Sequence, residues 1–115
     1  MIHVKRVYDA RERGDGKRFL VERLWPRGVR KEALEGVPWL KDVAPSAALR
    51  TWYGHRVERW EEFSRRYGKE LATNRVACEP LLAASRRGSI TLLYSARDVE
   101  HNSALVLRDF LRRQR

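Results

Sequence analysis

The stretch Ile90-Thr91-Leu92-Leu93-Tyr94 is apolar apart from one threonine, and Gly88 comes shortly before it. Strands that are buried on both faces have such nearly continuous apolar runs, whereas strands with one solvated face alternate between apolar and polar residues. The stretch therefore predicts a strand that is covered on both faces.

Two further strands are predicted near the N-terminus. Residues 2–8 carry valines among charged neighbours, and residues 18–24 begin close to the apolar run 19–21. The turn signal Asp15-Gly16 lies near the end of the polar loop between them. This loop of nine residues is shorter than the usual crossover of about a dozen residues between parallel strands. The relative direction of the first two strands therefore stays open.

The middle of the chain is predicted to be helical. Ser46 is a suitable N-cap for a short helix through Trp52, because its hydroxyl can accept a hydrogen bond from a free backbone N–H. Gly54 ends that helix. Residues 56–72 form the strongest predicted helix, since their apolar side chains recur at three- and four-residue spacing on one face. The residues of that face are Val57, Trp60, Phe63, Tyr67 and Leu71.

Two more helices are predicted in the second half of the chain. One begins near residue 79, with Pro80 in its first turn, where a missing N–H costs nothing. Gly88 supplies its end. The other covers 99–113, and Asp98 is its predicted N-cap.

Length and composition indicate one small folding unit. The chain has 115 residues, of which 43% are hydrophobic, and this is enough for one core. The order of elements predicts a single α/β domain over residues 1–115, with a sheet of about three or more mostly parallel strands flanked by helices. No apolar stretch approaches the ~20 residues of a membrane span, and no apolar signal region follows Met1. We therefore expect no membrane partner.

The cysteine content bears on compartment and metal chemistry. The single cysteine, Cys78, excludes an intramolecular disulfide and any cysteine-based zinc cluster. A cytoplasmic location is the expectation for such a chain. Three scattered histidines without a matching carboxylate spacing favour no metal site, and no motif indicates a cofactor. The oligomeric state cannot be deduced from these features.

The formal net charge of +10 raises the possibility of a nucleic-acid partner. The positive charge is spread over both halves of the chain, and no run of Lys and Arg exceeds two residues. Diffuse positive charge is typical of solubility as well as of recognition. The arginines on which a nucleic-acid interface would depend are Arg86, Arg87, Arg108, Arg112, Arg113 and Arg115.

Polar and aromatic residues follow the second and third predicted strands, which indicates a cleft where the two strands end. Ligands of α/β folds usually bind at the carboxyl ends of parallel strands. We therefore expect these residues to share one arginine-rich cleft. They are Arg23, Trp25 and Arg27 after the second strand, and Tyr94, Ser95, Arg97, His101 and Asn102 at and after the third.

The chemistry of these residue types favours an anionic ligand. Guanidinium groups donate two parallel hydrogen bonds to a phosphate or a carboxylate. Trp25 could stack on a ring, and His101 could act as a general acid/base, because imidazole ordinarily titrates near neutrality. Two hypotheses follow: a binding protein or enzyme for a phosphorylated or carboxylated small molecule, and a basic nucleic-acid-binding module. In the structural alternative, Arg23 and Arg27 pair with nearby carboxylates and fasten a loop.

The chain also resembles a known family along its whole length. The residues that carry the resemblance include Lys5-Arg6-Val7-Tyr8-Asp9, Val21-Glu22-Arg23-Leu24-Trp25-Pro26-Arg27-Gly28, Trp39-Leu40-Lys41-Asp42-Val43-Ala44-Pro45-Ser46, Leu49-Arg50, Trp60-Glu61-Glu62-Phe63, Thr91-Leu92-Leu93-Tyr94-Ser95-Ala96-Arg97-Asp98 and Glu100-His101-Asn102. On these segments it is similar to the YeaO-like branch of the domain-of-unknown-function 488 family. The resemblance implies an α/β fold in a bacterial or archaeal cytoplasmic protein, and it implies no established activity.

The chain departs from the wider family at two points. Longer members carry cysteines near the last strand and helix, whereas this chain has Tyr94 and Asn102 there. Thiol or metal chemistry therefore does not transfer to this chain. Glu22 replaces the aspartate that is usual before the arginine of the second strand, which keeps the charge and lengthens the side chain by one methylene.

Overall fold

Three parallel strands form the sheet of this protein. The structure is a computed structural model that describes residues 1–114, so Arg115 lies outside the described residues. The strands are β1 (Ile2–Arg6), β2 (Lys17–Leu20) and β3 (Ile90–Tyr94), and their order in the sheet is β1-β3-β2. β3 pairs with both neighbours in parallel and is buried along its whole length, which confirms the predicted strand. The direction of the first two strands, left open by the sequence, is the same.

The second strand is shorter than predicted, because a side chain interrupts the ladder. The prediction ran to residue 24, but β2 ends at Leu20 and only the Val21 N–H continues the pairing, to the Leu93 carbonyl. The next donor along the neighbouring strand, the Ser95 N–H, bonds to the Glu22 carboxylate at 2.9 Å instead of to a β2 carbonyl. The chain is therefore released from the sheet at the point where the polar residues begin.

Four α-helices accompany the sheet: α1 (Ala47–Tyr53), α2 (Trp60–Thr73), α3 (Arg75–Arg87) and α4 (Ser103–Gln114). They confirm the small α/β class. None of the helices within residues 1–114 combines the length and the apolar character needed to cross a membrane.

The two faces of the sheet are covered differently. On one face, buried side chains such as Phe19 and Leu92 join one large apolar cluster with residues of the helices. On the other face, Leu20 and Leu93 form a smaller cluster with Leu34 and with partly buried side chains of the irregular segment 25–39. Both faces of β3 are therefore shielded from solvent, which explains its continuous apolar sequence.

The limits of α1 agree with the prediction. The Ser46 hydroxyl accepts a hydrogen bond from the Leu49 N–H at 3.2 Å, and Gly54 ends the helix in the left-handed conformation with φ 53°. These contacts satisfy free backbone groups at both ends of a helix of only seven residues.

The last two helices begin elsewhere than predicted. α3 begins at Arg75, so Pro80 lies within the helix and not in its first turn. The hydrogen bond that this proline removes would have gone to the carbonyl of Val76. Val76 is 82% exposed, so water can donate a hydrogen bond to that carbonyl instead. α4 begins at Ser103, because the Asn102 side chain accepts a hydrogen bond from the Leu105 N–H at 3.2 Å. Asn102 is therefore the cap, and Asp98 belongs to the preceding turn.

A partly buried ion pair holds the β1–β2 connection against the sheet. Lys5 Nζ lies 3.2 Å from both carboxylate oxygens of Asp15 and 2.8 Å from Glu12. The Asp15 backbone carbonyl accepts a hydrogen bond from the buried Thr91 hydroxyl at 2.7 Å. The Glu12 backbone N–H lowers the pKa of Asp15 most, desolvation opposes it, and Lys5 lowers it further. The cluster thus ties the connection to both β1 and β3.

We expect the substitution Asp15→Asn to lower the free energy of unfolding by about 2 kcal/mol at pH 7, because Lys5 loses a poorly exposed charged partner. The folded-state pKa of Asp15 lies below the usual 3.8, so its contribution is present above that value and is lost as the pH falls through the lower folded-state pKa. Urea unfolding between pH 2 and pH 7 should show a gap between wild type and variant that closes only on the acid side.

The matched control for this experiment is Asp109→Asn. Asp109 pairs with Arg108 and Arg112 on the exposed side of α4. Exposed ion pairs contribute about 0–1 kcal/mol, so this variant should unfold nearly as wild type does at every pH. Equal effects of the two substitutions would contradict a special role for the Lys5–Asp15 pair.

Candidate functional site

A cavity of about 640 Å³ lies at the carboxyl ends of the parallel strands. The residues that line it come from the loops after β1, β2 and β3 and from the helical layer. They are Tyr8, Glu22, Arg23, Arg27, Ala44, Pro45, Arg50, Tyr53, His55, Phe63, Ser95, Ala96, Arg97, Asp98, His101, Asn102 and Ser103. Six of the eight predicted site residues lie among them: Arg23, Arg27, Ser95, Arg97, His101 and Asn102.

Arg23 lines the cavity, and two backbone carbonyl groups from the segment before α1 hold its side chain. Its Nε donates to the Pro45 carbonyl at 2.9 Å, and its Nη2 donates to the Ala44 carbonyl at 3.1 Å. Nη1 has no hydrogen bond within residues 1–114. The side chain is therefore held in one orientation while one edge of the guanidinium is left for another acceptor.

Glu22 ties the loop after β2 to the loop after β3. Its Oε1 accepts hydrogen bonds from the Ser95 N–H at 2.9 Å and from the Ser95 hydroxyl at 3.0 Å. Arg6 fixes the same loop from the other side, because its Nε donates to the Ala96 carbonyl at 3.0 Å. This wall of the cavity is thus set by side chains from all three strand ends, and the Ser95 hydroxyl is already committed to Glu22.

Asp98 organises the turn that carries His101. Its Oδ1 accepts hydrogen bonds from the N–H groups of Glu100 and His101, at 2.9 and 3.0 Å, and its Oδ2 lies 3.0 Å from His101 Nδ1. The Glu100 N–H lowers the pKa of Asp98 most, against desolvation, and the His101 imidazole adds to the lowering. Because a carboxylate only accepts, His101 carries its hydrogen on Nδ1. Its Nε2 has no hydrogen bond within residues 1–114.

The helical side of the cavity comes mainly from α1 and the turn after it. Arg50 and Tyr53 are three residues apart and share one face of the helix, and His55 follows the end of that helix. Tyr53 stacks on Phe63, with ring centroids 4.4 Å apart, and its ring also contacts His55 at 6.1 Å. Desolvation raises the pKa of Tyr53, and Asp98 and Glu58 add to the effect.

Two predicted site residues do not line the cavity. The Trp25 indole donates from Nε1 to the Val29 carbonyl at 2.6 Å and packs edge-on against Trp39 at 5.3 Å. It therefore belongs to the smaller apolar cluster and is not a stacking wall of the cleft. Tyr94 is 4% exposed and lies in the larger cluster, because its position in β3 turns its ring toward the helices.

The charge of the cavity is unbalanced in favour of cations. Among the described residues that line it, four arginines accompany two carboxylates. Both carboxylates already have partners, Glu22 at Ser95 and Asp98 at His101. The arginines have no carboxylate within 4.0 Å in residues 1–114. An anionic group would meet these cations without displacing an ion pair.

Arg50, Tyr53 and His55 were not among the site residues that the sequence predicted. Their helix is short, and a three-residue spacing of arginine and tyrosine is too common to indicate a site by itself. The signal that could have found them is the contact between Arg23 and the Ala44-Pro45 backbone, which places the start of α1 beside the strand ends.

Cys78 does not line this cavity. Cys78 is buried in the larger apolar cluster, and desolvation raises the pKa of its thiol to about 11. The thiol is therefore protonated at neutral pH. Within residues 1–114, no group of three histidine, cysteine or acidic side chains has the arrangement that would hold a metal ion.

The fold and the cavity define a class, a small α/β protein with a three-stranded parallel sheet and a basic cavity at the strand ends. The family model described as "Inactive DUF488-N3 subclade" matches residues 1–115. The chain belongs to this family, in its YeaO-like branch, and the resemblance seen in the sequence is thereby confirmed.

Two similar proteins come from bacteria and are named as uncharacterized. The chain is 42% identical over 111 residues to the uncharacterized protein YeaO of Escherichia coli, and the match covers 96% of each chain. It is 41% identical over 110 residues to the uncharacterized protein Rv3073c of Mycobacterium tuberculosis, covering 96% of this chain and 92% of that one. No solved structure matches the chain.

Proposed function

We propose that the cavity at the strand ends binds a small molecule that carries a phosphate or a carboxylate. The observation that carries the proposal is the surplus of unpaired guanidinium groups, because the cavity's two carboxylates are already engaged by Ser95 and His101. Arginine recognises both anions through paired hydrogen bonds. A volume of about 640 Å³ is within the usual range of small-molecule sites.

Binding without turnover is the form of this function that we favour. The matching family model describes its members as inactive. The Ser95 hydroxyl donates a hydrogen bond to Glu22 and makes none with a histidine in residues 1–114, so the arrangement lacks an activated nucleophile. His101, the predicted acid/base, is oriented by Asp98 and leaves Nε2 for a ligand. In a binding protein, this nitrogen serves as a hydrogen-bonding group.

The rival hypothesis is the nucleic-acid-binding module. Its arginines are partly engaged in the folded protein, since Arg108 and Arg112 lie beside Asp109. Arg86 and Arg87 at the end of α3 are exposed and would be central to such an interface. The rival predicts an affinity for DNA or RNA that falls steeply with added salt.

Isothermal titration calorimetry at constant ionic strength tests the proposal, with inorganic phosphate, glycerol phosphate and malonate as probes. We expect saturable binding of at least one probe. Arg97→Gln and Arg27→Gln should each weaken it by about tenfold, which corresponds to about 1.4 kcal/mol.

The matched control is Arg86→Gln, which removes the same charge from α3, away from the cavity, and should leave the affinity unchanged. Failure of every anion to bind would overturn the proposal. Binding of short DNA or RNA that is lost in Arg86→Gln but kept in Arg97→Gln would favour the nucleic-acid module instead.

A further inference from the structure

Side chains that can donate hydrogen bonds to an anion reach the cavity from two separate parts of the fold. Arg23, Arg27 and Arg97 belong to the loops that follow β2 and β3, and we call them the strand-end group. Arg50 and His55 belong to α1 and the turn after it, and we call them the α1 group. We propose that the ligand carries two anionic groups, one held by the strand-end group and the other by the α1 group.

This inference rests on the proposed function, and the free guanidinium of Arg50 is its first support. Within residues 1–114, the Arg50 side chain has no hydrogen bond and no ion pair. The helix that carries it is capped at both ends and anchored by Tyr53, which is 6% exposed and stacks on Phe63. The cation is thus mounted on a fixed element and faces the cavity.

The backbone of His55 gives a second, independent support. His55 has φ 58°, and it is the one non-glycine residue with positive φ among those that the structure describes. The left-handed conformation costs about 1–2 kcal/mol for a residue with a side chain. Such strain concentrates at functional positions. Gly54 precedes it with φ 53°, so two successive left-handed residues turn the histidine toward the cavity.

The rest of the cavity suits the uncharged part of such a ligand. Ala44, Pro45, Phe63 and Ala96 give the lining an apolar component beside the strand-end group and the α1 group. A single inorganic ion would use only a small part of a volume of about 640 Å³. A molecule with two anionic ends and an apolar middle matches both the charge and the size.

Calorimetric titration with diol bisphosphates, from ethanediol to hexanediol, tests this inference against the monophosphate esters of the same alcohols. At one spacer length the bisphosphate should bind at least about tenfold more tightly than its monoester, because the second contact becomes intramolecular. Pyrophosphate has a similar charge but no spacer, so its two phosphates cannot reach both groups at once. It should therefore not show this gain.

Two variants locate the second contact. Arg50→Gln and His55→Asn should each weaken binding of the bisphosphate more than binding of the monoester, and so remove most of the gain. Asparagine tolerates the left-handed conformation better than other non-glycine residues, so His55→Asn should keep the fold and unfold at or above the wild-type temperature.

The outcomes separate the two proposals. A wild-type protein that binds neither these esters nor malonate contradicts the proposed function itself. A monoester that binds as tightly as every bisphosphate contradicts only the two-headed ligand. A spacer-dependent gain that survives in both Arg50→Gln and His55→Asn would also overturn it, because the second contact would then lie elsewhere.

Discussion

The substitution Gly16→Ala is expected to lower the free energy of unfolding by more than about 4 kcal/mol, a large part of the about 5–15 kcal/mol that stabilises a typical domain. A Cβ atom at this position would lie 1.9 Å from the Ser89 carbonyl oxygen and 2.6 Å from its carbon, both of them backbone atoms. Gly16 also has φ 64° and ψ −145°, a conformation that is essentially restricted to glycine. Strain and collision therefore act together.

The collision would separate two strands where they start. The same Ser89 carbonyl accepts a hydrogen bond from the Lys17 N–H at 3.1 Å, and Lys17 opposite Ile90 sets the register of β2 on β3. A Cβ at Gly16 can only be accommodated if this contact opens. The disturbance would pass along β2 to Glu22 and Arg23, so any remaining folded protein should also lose affinity for phosphate.

Two other glycines separate the causes. Gly14 has free space around it and lies outside the left-handed region, so Gly14→Ala should change stability by no more than about 0.5 kcal/mol. Gly36 has φ 80° and nothing within 4 Å, so Gly36→Ala should show the conformational cost alone, about 1–2 kcal/mol. Urea unfolding of the three variants measures the series. A loss at Gly16 no larger than that at Gly36 would contradict the collision.

Local signals in the sequence predicted the parts of the fold that depend on local chemistry. Ile90–Tyr94 was predicted as a doubly covered strand from its composition, and the structure has it between two strands and two apolar layers. Ser46 and Gly54 mark the limits of α1 because each satisfies backbone groups within one turn. These features need no knowledge of distant contacts.

Predictions were wrong where the sequence offers more than one local signal for the start of a helix. Asp98 and Asn102 are both good N-caps, and the structure assigns Asn102 to α4 while Asp98 caps the turn of His101. Pro80 was placed in a first turn, yet α3 begins five residues earlier, at Arg75. Arg75 contacts Gln114 at 2.6 Å, a pairing of two helices that no local pattern contains.

The residues of the candidate site were also predicted correctly in some cases and wrongly in others. The sequence places Arg23, Arg27 and Arg97 near strand ends, and the parallel sheet brings them to one cavity. Trp25 was expected there because it lies between two arginines in sequence. Its indole instead covers the other face of the sheet, since a large aromatic side chain stabilises the fold more when it is buried against Trp39.

Arg23→Lys is expected to have the largest effect on the cavity of any conservative substitution. Lysine keeps the charge but cannot donate to two backbone carbonyls in a fixed plane and also present a free edge to an anion. We expect the affinity for phosphate to fall by about tenfold to a hundredfold, and the free energy of unfolding to fall by about 1–2 kcal/mol as the bonds to Ala44 and Pro45 are lost.

Arg27→Lys is the matched control, because Arg27 is exposed and its side chain has no hydrogen bond within residues 1–114. It should retain wild-type stability and most of the affinity, since a flexible lysine can still place its charge at the cavity. Calorimetry below the unfolding temperature of both variants compares affinities of fully folded protein.

If Arg23→Lys loses stability but binds phosphate as wild type does, Arg23 serves only to hold α1 against the strand ends. If both variants lose affinity equally, the orientation of Arg23 by Ala44 and Pro45 has no role in binding.

A large loss of affinity confined to Arg23→Lys would mean that the hydrogen bonds to Ala44 and Pro45 orient the Arg23 guanidinium toward the anion. The contacts that stabilise the fold here would then also determine anion binding.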